Sequence, residues 1–197
     1  MEDYAADLKA LVESLGLSQV VLGGLSMGGY IALAFLAKYP ACVTGLILAH
    51  TRAGADSEQA RQGRLANAQK ALDEGASVIA EVMFPKMLTE TTLADRPTLA
   101  TYVRAMMARQ SASGVAAALR GMAARPDRSE WIRSINIPTL VITGAQDTLI
   151  PASESEALHK AIAGSRLVVI PNVAHLSNIE NPDAFNSAVK EFIAKLK

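Results

Sequence analysis

Residues 20–35 read VVLGGLSMGGYIALAF: an apolar run that halts at Gly23-Gly24, presents one serine, Ser26, and resumes after Gly28-Gly29. A short continuous apolar run marks a strand covered on both faces. The longer apolar run behind the serine, closed by Pro40, marks a buried helix. The chain therefore turns sharply from strand to helix with Ser26 at the apex. Working outward, Tyr4, Leu8, Leu11, Val12 and Leu15 fall at helical spacing until Gly16 breaks the pattern. Downstream, VTGLILA (43–49), IPTLVITG (137–144) and RLVVIP (166–171) read as further buried strands. SESEALHKAIAG (153–164) and NPDAFNSAVKEFIAKL (181–196) read as the helices beside them. Apolar strands alternating with helices specify an α/β class: about four parallel strands with flanking helices.

Residues 52–135 break the alternation and contain no strand pattern. Helices are expected at 56–75, 76–84, 97–110 and 113–125. This stretch reads as a helical cap inserted between the second and third strands of a core formed by 1–51 and 136–197. The chain of 197 residues is half hydrophobic, which is ample for one core, and its formal net charge is zero. Nothing in that balance favours nucleic acid or an anionic membrane as a partner. Arginines such as Arg61 and Arg64 sit among acids and read as helix surface. Cys42 is the single cysteine, so no intrachain disulfide is possible. The acidic, amphipathic start lacks the features of a signal peptide, and no run reaches membrane-spanning length; a cytoplasmic setting is expected.

Gly24-Leu25-Ser26-Met27-Gly28 fits G-x-S-x-G in the strand-to-helix context this pattern needs. The turn strains the serine backbone and lifts its hydroxyl clear of the sheet. Gly24 and Gly28 are expected to remove side chains that would collide there. The Met27 N–H, at the positive end of the helix, is placed to bind an oxyanion. A Gly-rich phosphate loop is the rival reading, but a lysine would be wanted after the glycines and Tyr30 stands there.

A serine nucleophile needs a base, and the base an orienting acid. Asp147 lies in TGAQDTLIP, just past the third strand, where ligand sites of open parallel sheets form. It reads as that acid, with an Asx-type turn or the cap of the next helix as the plain alternative, although Ser153 is better placed for that cap. His175 follows the fourth strand in IPNVAHLSNIENP and reads as the base. His159 belongs to a helix surface. His50 ends the second strand and reads as pocket wall.

The chain order Ser26, Asp147, His175 and the segments around them resemble the α/β-hydrolase superfamily over essentially the whole length. Within it, GLSMGGYIALAF, TGAQDTLIP and VVIPNVAHLSNIENP are similar to the small bacterial esterase and 3-oxoadipate enol-lactonase branch. The resemblance implies a serine hydrolase of small carboxylic esters or lactones working through an acyl-enzyme, with no metal or organic cofactor. Acyl transfer or perhydrolysis by the same triad, or a non-catalytic binding module, are the alternatives. A substrate pocket is expected from Leu25, His50, Met83, Phe84, Met106, Met107, Leu149 and Leu176, although for the methionines plain core packing is the bland alternative. The resemblance further implies four strands ahead of the Ser26 strand and a loop among them that supplies a second oxyanion donor. Only 25 residues precede Ser26 here, so a truncated, minimal form of the fold is expected. Losing one oxyanion donor lowers the rate by roughly 10²–10³-fold. The uncovered edge of that strand, residues 19–24, points to a homodimer.

Overall fold

The computed structural model describes residues 1–196. A four-stranded parallel sheet runs β1 (Val20–Leu25), β2 (Val43–Ala49), β3 (Thr139–Gly144) and β4 (Arg166–Ile170), and its spatial order is the chain order. The strands are predominantly apolar, and the pleat sorts their side chains two ways. Leu46, Leu48 and Val141 face one layer, where α1 (Glu2–Ser14) and α2 (Met27–Lys38) supply Ala5, Leu33 and Phe35. Ile47, Ala49, Leu140 and Ile142 face the other layer and meet Phe192 of α10 (Pro182–Ile193). Such double burial is why the central strands β2 and β3 show no polar alternation, whereas the edge strands β1 and β4 are only partly covered. Helix α2 is buried nearly all round, from Gly29 to Leu36 apart from Ile31, as its composition demands.

Between β2 and β3 lie α3 (Glu58–Glu74), α4 (Ala76–Met83), α5 (Glu90–Asp95), α6 (Pro97–Ala108) and α7 (Ala112–Ala123), with no strand among them. Hydroxyls of Ser57, Thr89 and Ser111 cap α3, α5 and α7 by accepting from backbone N–H groups three residues on. The six-residue α5 is an addition to the helices expected from the sequence, too short to carry a periodic pattern. Arg64 is not plain helix surface. With Arg52 and Arg125 it binds the buried carboxylate of Asp56. Burial alone would raise the Asp56 pKa, but hydrogen bonds from Arg125 and Arg64 outweigh it and hold the carboxyl well below its ordinary range. Arg125 also stacks on Tyr30 of α2, 4.2 Å from the ring centre, so the cluster ties the insertion to the core. No helix among the described residues is long and apolar enough to cross a membrane.

Parallel strands present all their carboxyl ends at one edge of the sheet. The junctions after β1, β2, β3 and β4 therefore meet there, and they carry Ser26, His50, Asp147 and His175.

Candidate active site

Ser26 links β1 to α2 with φ 55° and ψ −115°, a left-handed backbone that a non-glycine residue adopts only under constraint. Three contacts impose it. Ser26 N–H donates to Ala49 O at 2.8 Å, Gly29 N–H donates to Ser26 O at 2.9 Å, and the Thr51 hydroxyl donates to Ser26 O at 2.9 Å. A Cβ on Gly24 would sit 2.1 Å from Gly28 O, so only glycine lets the first turn of α2 fold back on the strand. Gly28 itself does not need to be glycine for space: a Cβ there meets nothing within 4 Å. The second glycine that packing demands is Gly29, against which the Thr51 side chain lies. Neither Ser26 Oγ nor Met27 N–H has a hydrogen-bond partner among the described residues.

Asp147 is buried, and its carboxylate is fully engaged. Oδ1 accepts from Leu149 N–H and Ile150 N–H at 2.9 Å each. Oδ2 accepts from His175 Nδ1–H and from His50 Nδ1–H at 2.8 Å each. The Asx-type turn and the acid partner of a histidine, alternatives on the sequence, are both present in one side chain. Burial works to raise the Asp147 pKa, but the hydrogen bonds of His175, His50 and Ile150 more than reverse it, so the carboxyl stays ionised far into acid. The two loops are brought together at Gly144, where a Cβ would strike Ala174 O at 2.4 Å and Val173 O at 2.5 Å. Only there can the His175 loop lie across the end of β3, with Gln146 N–H donating to Val173 O.

The two histidines differ in their second nitrogen. His175 Nε2 has no hydrogen-bond partner among the described residues. His50 Nε2 is taken by Ser177 Oγ at 2.6 Å. His50 is also 0% exposed, which removes it from the pocket wall where the sequence reading placed it. His159 lies on α8 (Ala152–Ala161), where Nδ1 meets Ser165, and makes no bond to the Asp147 network. Among the described residues, His50, Asp147 and His175 are the group whose donor atoms, within 4.8 Å of one another, could surround a metal ion. Their N···O separations of 2.8 Å are those of hydrogen bonds, and Oδ2 is already saturated by two N–H donors.

The expected pocket residues converge in part. Met83, Phe84, Met107, Leu149 and Leu176 belong to one apolar cluster between the insertion and the loops of Asp147 and His175. Met106 lies outside that cluster, and Leu25 packs in the layer under α10. A second tie joins insertion and loop. The buried Glu180 on α9 (Ser177–Glu180) accepts through Oε1 from Thr89 N–H and the Thr89 hydroxyl, and through Oε2 from Ala174 N–H. Leu176 N–H donates to Met87 O at 3.0 Å. Thr51, Gly144, Ser177 and Glu180 were not singled out in the sequence. Gly144, a glycine at the carboxyl end of a strand, carried the one usable signal.

Burial lowers the His50 pKa from its ordinary 6.5, with the nearby His175 adding to the effect; the Asp147 hydrogen bond opposes it. Unfolded His50 binds a proton at a pH where folded His50 does not, so its contribution to stability is present above pH 6.5 and is lost as pH falls below it. Asp147, with a depressed pKa, adds a loss of the same sign below its ordinary 3.8. Thermal unfolding followed by circular dichroism should therefore give a steady Tm above neutrality and a falling one below it, at up to about 1.4 kcal/mol per pH unit from one histidine. A Tm unchanged between pH 8 and 5 would contradict the burial of a neutral His50.

Residues 1–182 match the family described as alpha/beta hydrolase fold. The chain is 31% identical over 190 residues to 3-oxoadipate enol-lactonase 2 of Acinetobacter baylyi, covering 96% of this chain and 69% of that protein. Among solved structures it resembles a thermophilic esterase from Thermogutta terrifontis at 41% identity and a TM-score of 0.95, covering 98% of this chain and 71% of the esterase. It resembles the enol-lactonase from Burkholderia xenovorans at 29% identity and a TM-score of 0.88, with 97% and 72% covered.

Proposed function

From the premise that the chain belongs to the alpha/beta hydrolase fold family, we propose that it is a serine hydrolase of small carboxylic esters or lactones and that Ser26, His175 and Asp147 are its triad. Ser26 Oγ attacks the substrate carbonyl while His175 Nε2 takes the hydroxyl proton. The same imidazolium gives that proton to the leaving alcohol, and water then releases the acyl-enzyme by the reverse sequence of transfers. Asp147 holds the Nδ1–H tautomer and stabilises the cation. Met27 N–H, at the start of α2, binds the oxyanion. The observation that carries this reading is the pair of histidines on one carboxylate: His50 Nε2 is occupied by Ser177, whereas His175 Nε2 is left for a proton.

Met83, Phe84, Met107, Leu149 and Leu176 form the apolar wall, and residues 52–135 act as the cap that carries most of it. The names of the relatives, an esterase and two enol-lactonases, support ester and lactone substrates. A cytoplasmic setting and a twofold dimer belong to the same proposal. In support of the dimer, β1 pairs with β2 alone among the described strands and leaves Val21 37% exposed; sedimentation velocity reads it directly. The test of the activity is a fluorophosphonate probe followed by peptide mapping, beside a series of p-nitrophenyl esters. Label on Ser26 with turnover of short acyl chains is expected. Turnover of those esters with no label on Ser26 would overturn the reading.

A further inference from the structure

An ionised carboxylate offers about four lone-pair sites, and Asp147 fills all of them with N–H donors. Two come from its own turn and one from His175, which together meet the needs of a triad acid. The fourth comes from His50. We propose that His50 is a positioning residue of the active site: a second, neutral imidazole that locks the Asp147 carboxylate in place and shares Oδ2 with His175. The proposal rests on the triad reading above.

The hydrogen positions follow from the partners. A carboxylate only accepts, so both Nδ1 atoms carry hydrogen. Neutral His50 then has its lone pair on Nε2, and Ser177 must donate its hydroxyl hydrogen across 2.6 Å. Ser177 is 0% exposed, so each end of His50 is tied to a buried group. His50 also stands at φ 49°, with its N–H on Ile142 O at 2.8 Å. A histidine that merely filled space would not require a left-handed backbone at a strand end; such strain is kept where the surroundings over-determine it, and it clusters at functional sites.

The chemistry follows from the shared oxygen. The groups facing His50 are Asp147, His175, Ser177 and the carboxylate of Glu180. When His175 takes the serine proton, Oδ2 must stabilise the new cation while still accepting from His50. The His50 N–H withdraws part of the carboxylate's charge, so His175 releases its proton to the leaving group more readily than it would from an unshared carboxylate. The His50 and His175 rings lie 5.4 Å apart, so a proton on His50 would set a second cation beside the base. Burial keeps His50 neutral and prevents this.

The experiment compares His50→Phe, which fills the space without a donor, with His50→Asn, whose side-chain N–H stands near the position of Nδ1–H. The readouts are the pH profile of kcat/KM on p-nitrophenyl acetate, the split between kcat and KM, and the low-field imidazole N–H region of the proton NMR spectrum. His50→Phe should move the acid limb upward by about half to one pH unit. It should lower kcat roughly 10- to 100-fold with KM nearly unchanged. His50→Asn should return the limb to its wild-type position. The parent spectrum should hold two low-field N–H resonances, with His50→Phe losing one and displacing the other. An unmoved limb in His50→Phe, or a His50→Asn profile no closer to the parent, overturns the proposal. The NMR arm needs no turnover and reads the parent alone if His50→Phe does not fold: a single low-field resonance, or a His50 that titrates like an exposed histidine, also overturns it. Failure of the triad reading looks different, as undiminished turnover by a Ser26 variant.

Discussion

Replacing Ser26 with alanine is expected to lower kcat for ester hydrolysis by roughly 10⁴–10⁶-fold while leaving Tm within about 2 °C of the parent. On the proposed mechanism the rate falls because Ser26 is the group that forms the acyl-enzyme. Binding and the Met27 N–H remain, and they support only the residual catalysis seen when a triad loses a member. The stability holds for reasons specific to this position. Ser26 Oγ makes no hydrogen bond among the described residues, and the contacts that strain the backbone involve Ser26 N–H and O, which alanine keeps. Alanine also has the same Cβ as serine, so the left-handed φ of 55° becomes no more costly. Steady-state rates and thermal melts on the same preparations check both halves. A variant retaining a tenth of the parent's turnover would remove Ser26 from the mechanism.

Asp147→Asn should come close behind, with a loss of roughly 10⁴ in kcat. The amide oxygen can still accept from Leu149 and Ile150 N–H, so the turn after β3 survives. Its NH₂ then faces two imidazole Nδ1 atoms that the carboxylate had kept protonated. Both rings must move their hydrogen to Nε2 to accept from it. On His175 that places a proton where the serine proton should arrive, and the base is blocked. On His50 it turns the bond to Ser177 round, with Nε2 as donor, which the serine hydroxyl tolerates. The expected signature is therefore a catalytic loss far larger than the loss in Tm. Rate measurements with unfolding curves separate this from a folding defect, and a loss under tenfold would show that Asp147 does not set the tautomer of His175.

The layers of the fold were legible because burial on both faces leaves the central strands VTGLILA and TLVITG predominantly apolar, with no residue more polar than threonine. The places of Ser26, Asp147 and His175 at the carboxyl ends of three strands were legible as a chain order in fixed local contexts, and the proposed triad is built on them. His50 was not. Its place at the end of β2 suggested the pocket, but whether a side chain at a strand end points out or inward depends on one dihedral, here the positive φ of 49°. The supporting residues were hidden for a related reason. Thr51, Ser177 and Glu180 are ordinary polar residues whose partners stand 25, 127 and 91 positions away in sequence. Gly28 was credited with a steric role that belongs to Gly29, because two adjacent glycines cannot be told apart until the Thr51 side chain is seen lying against one of them.

The Glu180 tie has a bearing on how such an enzyme can diversify. Thr89, Met87 and Ala174 meet through one carboxylate and one backbone bond, so the segment from Phe84 to Glu90 travels with the histidine loop as a single part. Helices α3 and α7, which pack chiefly on each other, are outside that part. An insertion divided in this way can vary the outer faces of α3 and α7, away from the Arg64 anchor, without disturbing the loop that carries His175. Random mutagenesis under selection for retained activity would therefore draw its tolerated substitutions from the exposed positions of 58–74 and 112–123, Arg64 excepted, and would find 84–90 nearly closed to change.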